Sequence, residues 1–102
     1  MGVPSFNITY METEEGTEVV VDDLKGFYNS LLDFIVRGYY NGFETSLFCK
    51  FIDKDGNEYK SEVEEHSLDK TLKRCLDYFE RNDEFEKCIT VKKIINERLQ
   101  GI

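Results

Sequence analysis

The sequence predicts an α+β domain with the element order ββαββαα: an antiparallel sheet of about four strands, one helix laid across it, and a C-terminal antiparallel helical hairpin. Three observations carry this. Apolar residues alternate with period two in "FNITYME", "SLFCKFID" and "EYKSEVE". They recur at helical spacing in three longer stretches. Turn signals such as "TEEGT" and "DKDGNE" stand at the joints between strands. A chain of 102 residues with 40% hydrophobic residues has room for one domain, 1–102, and one modest core. Fourteen Phe and Tyr residues supply the large buried areas such a core needs. The single proline, Pro4, and the lack of a Ser/Gly-rich tract leave no internal linker, and no repeat is seen.

In the first strand, Phe6, Ile8 and Tyr10 alternate against Asn7, Thr9 and Met11. Gly16 lets the chain turn, and the β-branched "TEVVV" returns as the second strand. Asp22 and Asp23 precede a helical run in which Leu24, Phe27, Leu31, Phe34, Ile35 and Gly38 share a side. An aspartate there caps free N–H groups and meets the positive end of the helix dipole. Gly38 and Asn41-Gly42 are expected to end that helix. In the third strand Leu47, Cys49 and Phe51 lie on one face and Phe48 and Ile52 on the other, the pattern of a central strand. The return strand alternates Tyr59, Ser61 and Val63 against Lys60 and Glu62 and reads as an edge. Ser67 opens a helix with the stripe Leu68, Leu72, Cys75, Leu76 and Phe79. Asp83, with Glu86 three places on, is expected to cap a last helix carrying Phe85, Cys88, Ile89, Val91, Ile95 and Leu99 inward, closed by Gly101.

Charge is unevenly spread. Residues 1–69 hold fifteen acids and five bases, a net of −10, while residues 70–102 hold eight bases and six acids. Glu12, Glu14, Glu15, Glu18, Asp22 and Asp23 fall in one window without a base. A nucleic-acid backbone requires a positive surface, so direct nucleic-acid binding is not expected. No apolar run is long enough to span a bilayer, and "MGVPSFNITY" lacks the basic-then-apolar pattern of a secretory leader. It also has Phe6 where a myristoylation site requires Ser or Thr. With three cysteines and no CxxC, the reducing cytoplasm is the expected location.

Little in the chain reads as chemistry. Counted from Asp53 as an EF-hand loop, Asp55, Asn57 and Glu64 fall on ligand positions. The glycine, however, is at position 4 instead of 6, and the flanks alternate like strands. "DG" between two alternating runs predicts a hairpin, so no metal site is assigned. His66 is the only histidine, and no GxSxG, P-loop or dinucleotide-binding glycine pattern occurs. Cys49, Cys75 and Cys88 sit on expected apolar faces, the setting of inert thiols. A Cys–His pair formed only in space stays open as an alternative. If the hairpin reverses at Arg81-Asn82, Cys75 and Cys88 stand at one level, which leaves a redox bridge as a second alternative. No cofactor is expected, and the chain is not expected to be an enzyme.

The hairpin "FERNDEFEKCITVKKIINERL" resembles the UVR motif of nucleotide-excision-repair proteins, over residues 72–98. Phe85-Glu86, Lys87, Cys88, Val91, Lys92 and Ile95 match the motif's positions. Phe79, Ile89 and Lys93 depart from it. The resemblance implies protein–protein docking.

The stretch from Phe27 to Phe43 holds six aromatics, more than one helix can bury against a small sheet. Tyr39, Tyr40 and Phe43, with Arg37 nearby, have the composition of a contact surface. Two functional expectations follow. One is a small acidic, non-catalytic protein–protein interaction module using Arg37, Tyr39, Tyr40 and Phe43. The other is an acidic inhibitor, of the kind small phage-encoded proteins provide. It would imitate nucleic acid through Glu12, Glu14, Glu15, Glu18, Asp22 and Asp23 and occupy a basic nuclease, polymerase or defence protein. The expected partner is a protein, basic and nucleic-acid-handling in the second reading, and homo-oligomerisation is compatible with both.

Overall fold

A computed structural model describes residues 3–101 of the chain. Two compact units succeed one another, Met1–Glu62 and Val63–Ile102. The first contains β1 (Ser5–Thr13), β2 (Gly16–Val21), α1 (Leu24–Asn41), β3 (Leu47–Ile52) and β4 (Glu58–Glu62). The second contains a short 3-10 turn (Glu65–Ser67), α2 (Leu68–Arg81) and α3 (Phe85–Leu99). The α+β class and the order ββαββαα are those the sequence predicts. Among the described residues no helix is long and apolar enough to cross a membrane.

The sheet order is β2-β1-β3-β4. It is mixed, which corrects the antiparallel sheet expected from the sequence: β1 and β3 run parallel, pairing only Ser5–Asn7 with Lys50–Ile52. The cause lies at the β2–α1 joint. Phe27 approaches Phe51 and Phe34 approaches Phe48, so α1 runs opposite to β3 and therefore in the direction of β2. The chain reverses between β1 and β2 and again between α1 and β3. Two reversals return β3 to the direction of β1. Asp23 sets the straight joint, its carboxylate accepting the Gly26 N–H at 2.9 Å as the expected cap. A Cβ on residue 26 would fall on that carboxylate, so the glycine makes room for the cap.

α1 runs through Gly38 and ends at Asn41 with Gly42 as its C-cap, so of the two expected stop signals Asn41-Gly42 ends the helix and Gly38 does not. The Phe43 ring folds back onto Gly38 and occupies the space a Cβ would need there. β3 is central, as its two apolar faces predict, but Phe48 does not face away from Phe51. Leu47 pairs with Glu62 and Cys49 with Ser61, so Phe48 is the extra residue of a bulge. The bulge turns Phe48 toward α1, where its ring meets Phe27 and Phe34 at 5.7 and 5.5 Å. Phe6 joins them at 5.5 Å from Phe27.

In the second unit, Leu68, Leu72, Cys75 and Phe79 of α2 are buried as predicted, with Leu76 half-buried. Ser67 stands at the N-cap of α2, yet its hydroxyl donates to the Glu64 carbonyl instead of capping the helix. Asp83 also departs from expectation: it ends α2 and does not open α3. Its φ of 56° is left-handed. The Glu84 N–H donates to the Phe79 carbonyl at 2.9 Å and the Asp83 N–H to the Glu80 carbonyl at 3.3 Å, a Schellman closure. Glu84 takes the N-cap position of α3 without a side-chain cap bond. Gly101, at φ 72°, follows the end of α3 as predicted.

Candidate interaction surfaces

The residues of the aromatic expectation, three on α1 and Phe43 just beyond it, fall into two groups. Arg37 and Phe43 line one groove of about 550 Å³, with Phe34, Gly38, Asn41 and Leu47 among its walls. Arg37 is exposed and pairs with Asp33 one turn earlier at 2.8 Å. The Phe43 ring is exposed on its outer side and packs 5.7 Å from Phe34 on its inner side. Tyr39 and Tyr40 do not line the groove. Their rings meet edge to face at 5.0 Å, Tyr39 half-buried and Tyr40 exposed. The expected four-residue cluster is thus a groove pair and a tyrosine pair.

The acidic residues also divide. Glu14 and Glu15 form the turn joining Thr13 to Gly16, with Glu12 and Glu18 beside them on the ribbon. Gly16 takes φ 129°, so the turn closes without strain on either glutamate. Glu12 accepts the Thr17 hydroxyl at 3.2 Å across the strands. Asp22 and Asp23 lie at the far end of β2 and serve local structure, Asp22 accepting the Thr9 hydroxyl at 2.8 Å and Asp23 capping α1.

β1 pairs with β3 only as far as Asn7, so beyond Ile8 the β1–β2 ribbon extends as a two-stranded arm. Tyr10, Met11, Val19 and Val20 are exposed on it. At its base the Tyr10 hydroxyl is pushed up to about 12, first by hydrogen bonding with Tyr59, then by desolvation and the nearby Asp53 carboxylate. Asp53 itself is buried and organises the β3–β4 turn. Its carboxylate accepts from the backbone N–H groups of Asp55 and Asn57, each at 2.9 Å, from the Asn57 amide at 3.1 Å and from the Tyr59 hydroxyl at 3.4 Å. Burial pushes the Asp53 carboxyl up, but the bonds from Asn57, Asp55 and Tyr59 outweigh it and hold the group below the usual carboxylate range. The stretch that resembles a calcium loop is a turn built around one aspartate. Among the described residues no group of three or more His, Cys, Asp or Glu side chains is placed to hold a metal ion.

α3 holds a surface that the sequence reading assigned to the core. Cys88, Val91 and Ile94 are buried, with Ile95 half-buried. Phe85, Ile89 and Leu99 are instead 67%, 67% and 80% exposed. The helix is apolar on two adjoining faces, one buried and one exposed. The signal was present in the spacing: Phe85, Ile89, Lys92, Asn96 and Leu99 follow a 4-3-4-3 repeat, the seam of a coiled coil. It competes with a second apolar set, and periodicity alone does not say which faces α2.

The two helices meet in a register that separates the cysteines. Arg98 Nε donates to Asp69 Oδ1 at 2.7 Å, and Lys87 Nζ lies 5.6 Å above the Phe79 ring. These contacts place Cys75 level with Val91 and Lys92, and Cys88 level with Phe79. That corrects the level pairing of Cys75 with Cys88 by about one helical turn, roughly 5 Å. The reason is the Schellman closure, which moves the reversal from Arg81-Asn82 to Asp83-Glu84. All three cysteines are free thiols and buried. Burial pushes Cys49 up to about 11 and Cys75 up to about 12.

Comparison with known proteins found no matching family model, no similar curated protein and no similar solved structure.

Proposed function

We propose that the chain is a small acidic, non-catalytic protein–protein interaction module that docks a partner through the outer face of α3. The carrying observation is the exposure of Phe85, Ile89 and Leu99 along one seam of a regular helix. Apolar side chains aligned on a helix face mark a contact surface more strongly than scattered ones do. α2 provides the contrast, because its exposed residues include Lys70, Lys73, Arg74, Asp77 and Glu80. The resemblance to the UVR hairpin points the same way, toward docking. Lys92 occupies the centre of the seam, and a symmetric antiparallel pair of α3 helices would set two such lysines against each other. A partner helix with a carboxylate at that level is the better complement. The groove at Arg37 and Phe43 offers a second contact region. Cys49 and Cys75, buried and held in their protonated form, are poor nucleophiles, which supports the non-catalytic reading.

The experiment compares the wild-type chain with Phe85→Glu/Ile89→Lys as bait in native-host lysate, with partners identified by mass spectrometry. The double variant should keep its thermal midpoint and lose the partner. Equal capture by both baits sinks the reading. A midpoint lowered by more than about 8 °C would show that the seam is structural.

A further inference from the structure

β2 is an edge strand, and Gly16–Val20 are all exposed. Its outer hydrogen-bonding row can be assigned. The Asp22 N–H donates to the Asn7 carbonyl at 2.9 Å, and the register continues as Ile8↔Val21, Thr9↔Val20 and Tyr10↔Val19. Antiparallel pairs alternate between bonded and non-bonded. The N–H and C=O groups of Thr17, Val19 and Val21 therefore point away from β1. Folded proteins protect such edges with lysine, proline or a covering element. Here the edge is β-branched, and the outer side chains on its second face are Glu18, Val20 and Asp22.

We propose that β2 binds an extended basic segment of a partner protein by strand addition. The added strand would bond the backbone of Thr17, Val19 and Val21. On the face of Glu18, Val20 and Asp22 it would place basic, apolar and basic residues in turn, at the roughly 7 Å repeat of same-face positions. Charge selects this occupant over a second copy of the chain. Two β2 edges brought together would crowd the acids of both arms, Glu18 and Asp22 among them, onto one ribbon with no base to pair them. A lysine- or arginine-bearing strand satisfies the same positions. The edge supplies affinity through backbone bonds, and the alternate pockets supply sequence preference. The proposal does not rest on the α3 seam, and Phe85→Glu/Ile89→Lys should leave it intact.

The probe is a blocked peptide Gly-Lys-Thr-Val-Thr-Arg-Gly titrated into the full chain, followed by amide hydrogen exchange and calorimetry. Exchange of the Thr17, Val19 and Val21 amides should slow on binding, and affinity should fall as salt rises from roughly 50 to 300 mM. Val19→Pro removes one outward N–H without altering charge, and Glu18→Lys reverses charge without altering the backbone. Each should weaken binding by about tenfold or more. Binding that leaves those three amides unprotected would reduce the effect to charge attraction at the arm's tip and overturn the proposal. So would equal affinity for a peptide with glutamates in place of Lys and Arg, wild-type affinity in both variants, or no binding.

Discussion

Asp83 and Gly38 are two residues whose conformations constrain the fold in opposite ways. Asp83 holds φ 56° in the closure of α2, a conformation that costs an L-residue about 1–2 kcal/mol. Asp83→Gly relieves that cost but loosens the unfolded chain, so a net gain of about 0.5–1 kcal/mol is expected in urea unfolding. Gly38 has no spare volume, because the Phe43 ring lies where a Cβ would go. Gly38→Ala should cost about 1–3 kcal/mol through displacement of that ring, despite alanine's better helix propensity. Gly38→Ala/Phe43→Ala should recover part of the loss, which a double-mutant cycle would read. Asp53 gives the pH prediction. Its folded-state pKa is depressed below the unfolded value, so it stabilises the fold above the ordinary carboxylate pKa of about 4. That contribution is lost as pH falls through the folded-state value. Asp53→Asn should lower stability at pH 7 and flatten the acid limb of the stability curve below about pH 4. An acid limb unchanged by the substitution would assign the effect elsewhere.

Among the elements, α3 is where single substitutions distinguish one side from the other. Ile94→Ala on the buried side should cost about 2–5 kcal/mol. Ile89→Gln on the exposed side should change stability by no more than about 0.5 kcal/mol. Comparable losses at both positions would place Ile89 in a core. Most elements were legible in the sequence because their signals are local: alternation in β1 and β4, the aspartate cap of α1, the stripe of α2. What escaped depends on partners distant in sequence. The parallel pairing of β1 with β3 follows from a joint that does not reverse, and no residue pattern encodes its direction. The bulge at Phe48 depends on the register of β4. Asp83 looks like a helix start because aspartate favours both N-caps and left-handed turns, and the choice falls to the Schellman bonds. The same limit applies to the surfaces. Composition marked Arg37 and Phe43, which the fold brings together, and Tyr39 and Tyr40, which it places elsewhere. Phe85, Ile89 and Leu99 read as core residues because apolar character is the same on a buried face and on an exposed one.

At the scale of the whole molecule, the prediction concerns its thiols. Cys75 and Cys88 stand about one turn apart in level, and Cys49 is buried in β3. Mild oxidation of the native chain should leave three titratable thiols once the protein is unfolded, the same count as before treatment. A loss of two thiols, with a disulfide linking Cys75 and Cys88, would contradict the helical register derived from Arg98 and Asp69. The two proposed surfaces differ in kind. The α3 seam is apolar with a basic centre, and the β1–β2 arm is an acidic-rimmed strand edge. The two can be blocked independently, one by Phe85→Glu/Ile89→Lys and the other by Val19→Pro.

The strand order also sets a timetable for the nascent chain. β1 is made before both its neighbours and can pair with β2 once residue 21 has emerged, but its other neighbour is completed only at Ile52. At synthesis rates of about 5–20 residues per second, the hairpin waits for seconds with Phe6 and Ile8 uncovered and both edges open. Two such ribbons on neighbouring ribosomes would be well suited to pair wrongly. Six carboxylates between Glu12 and Asp23, with no base among them, make those ribbons repel one another during that interval. The acidity of the arm thus acts before the fold exists, as protection for a strand that must wait for its partner.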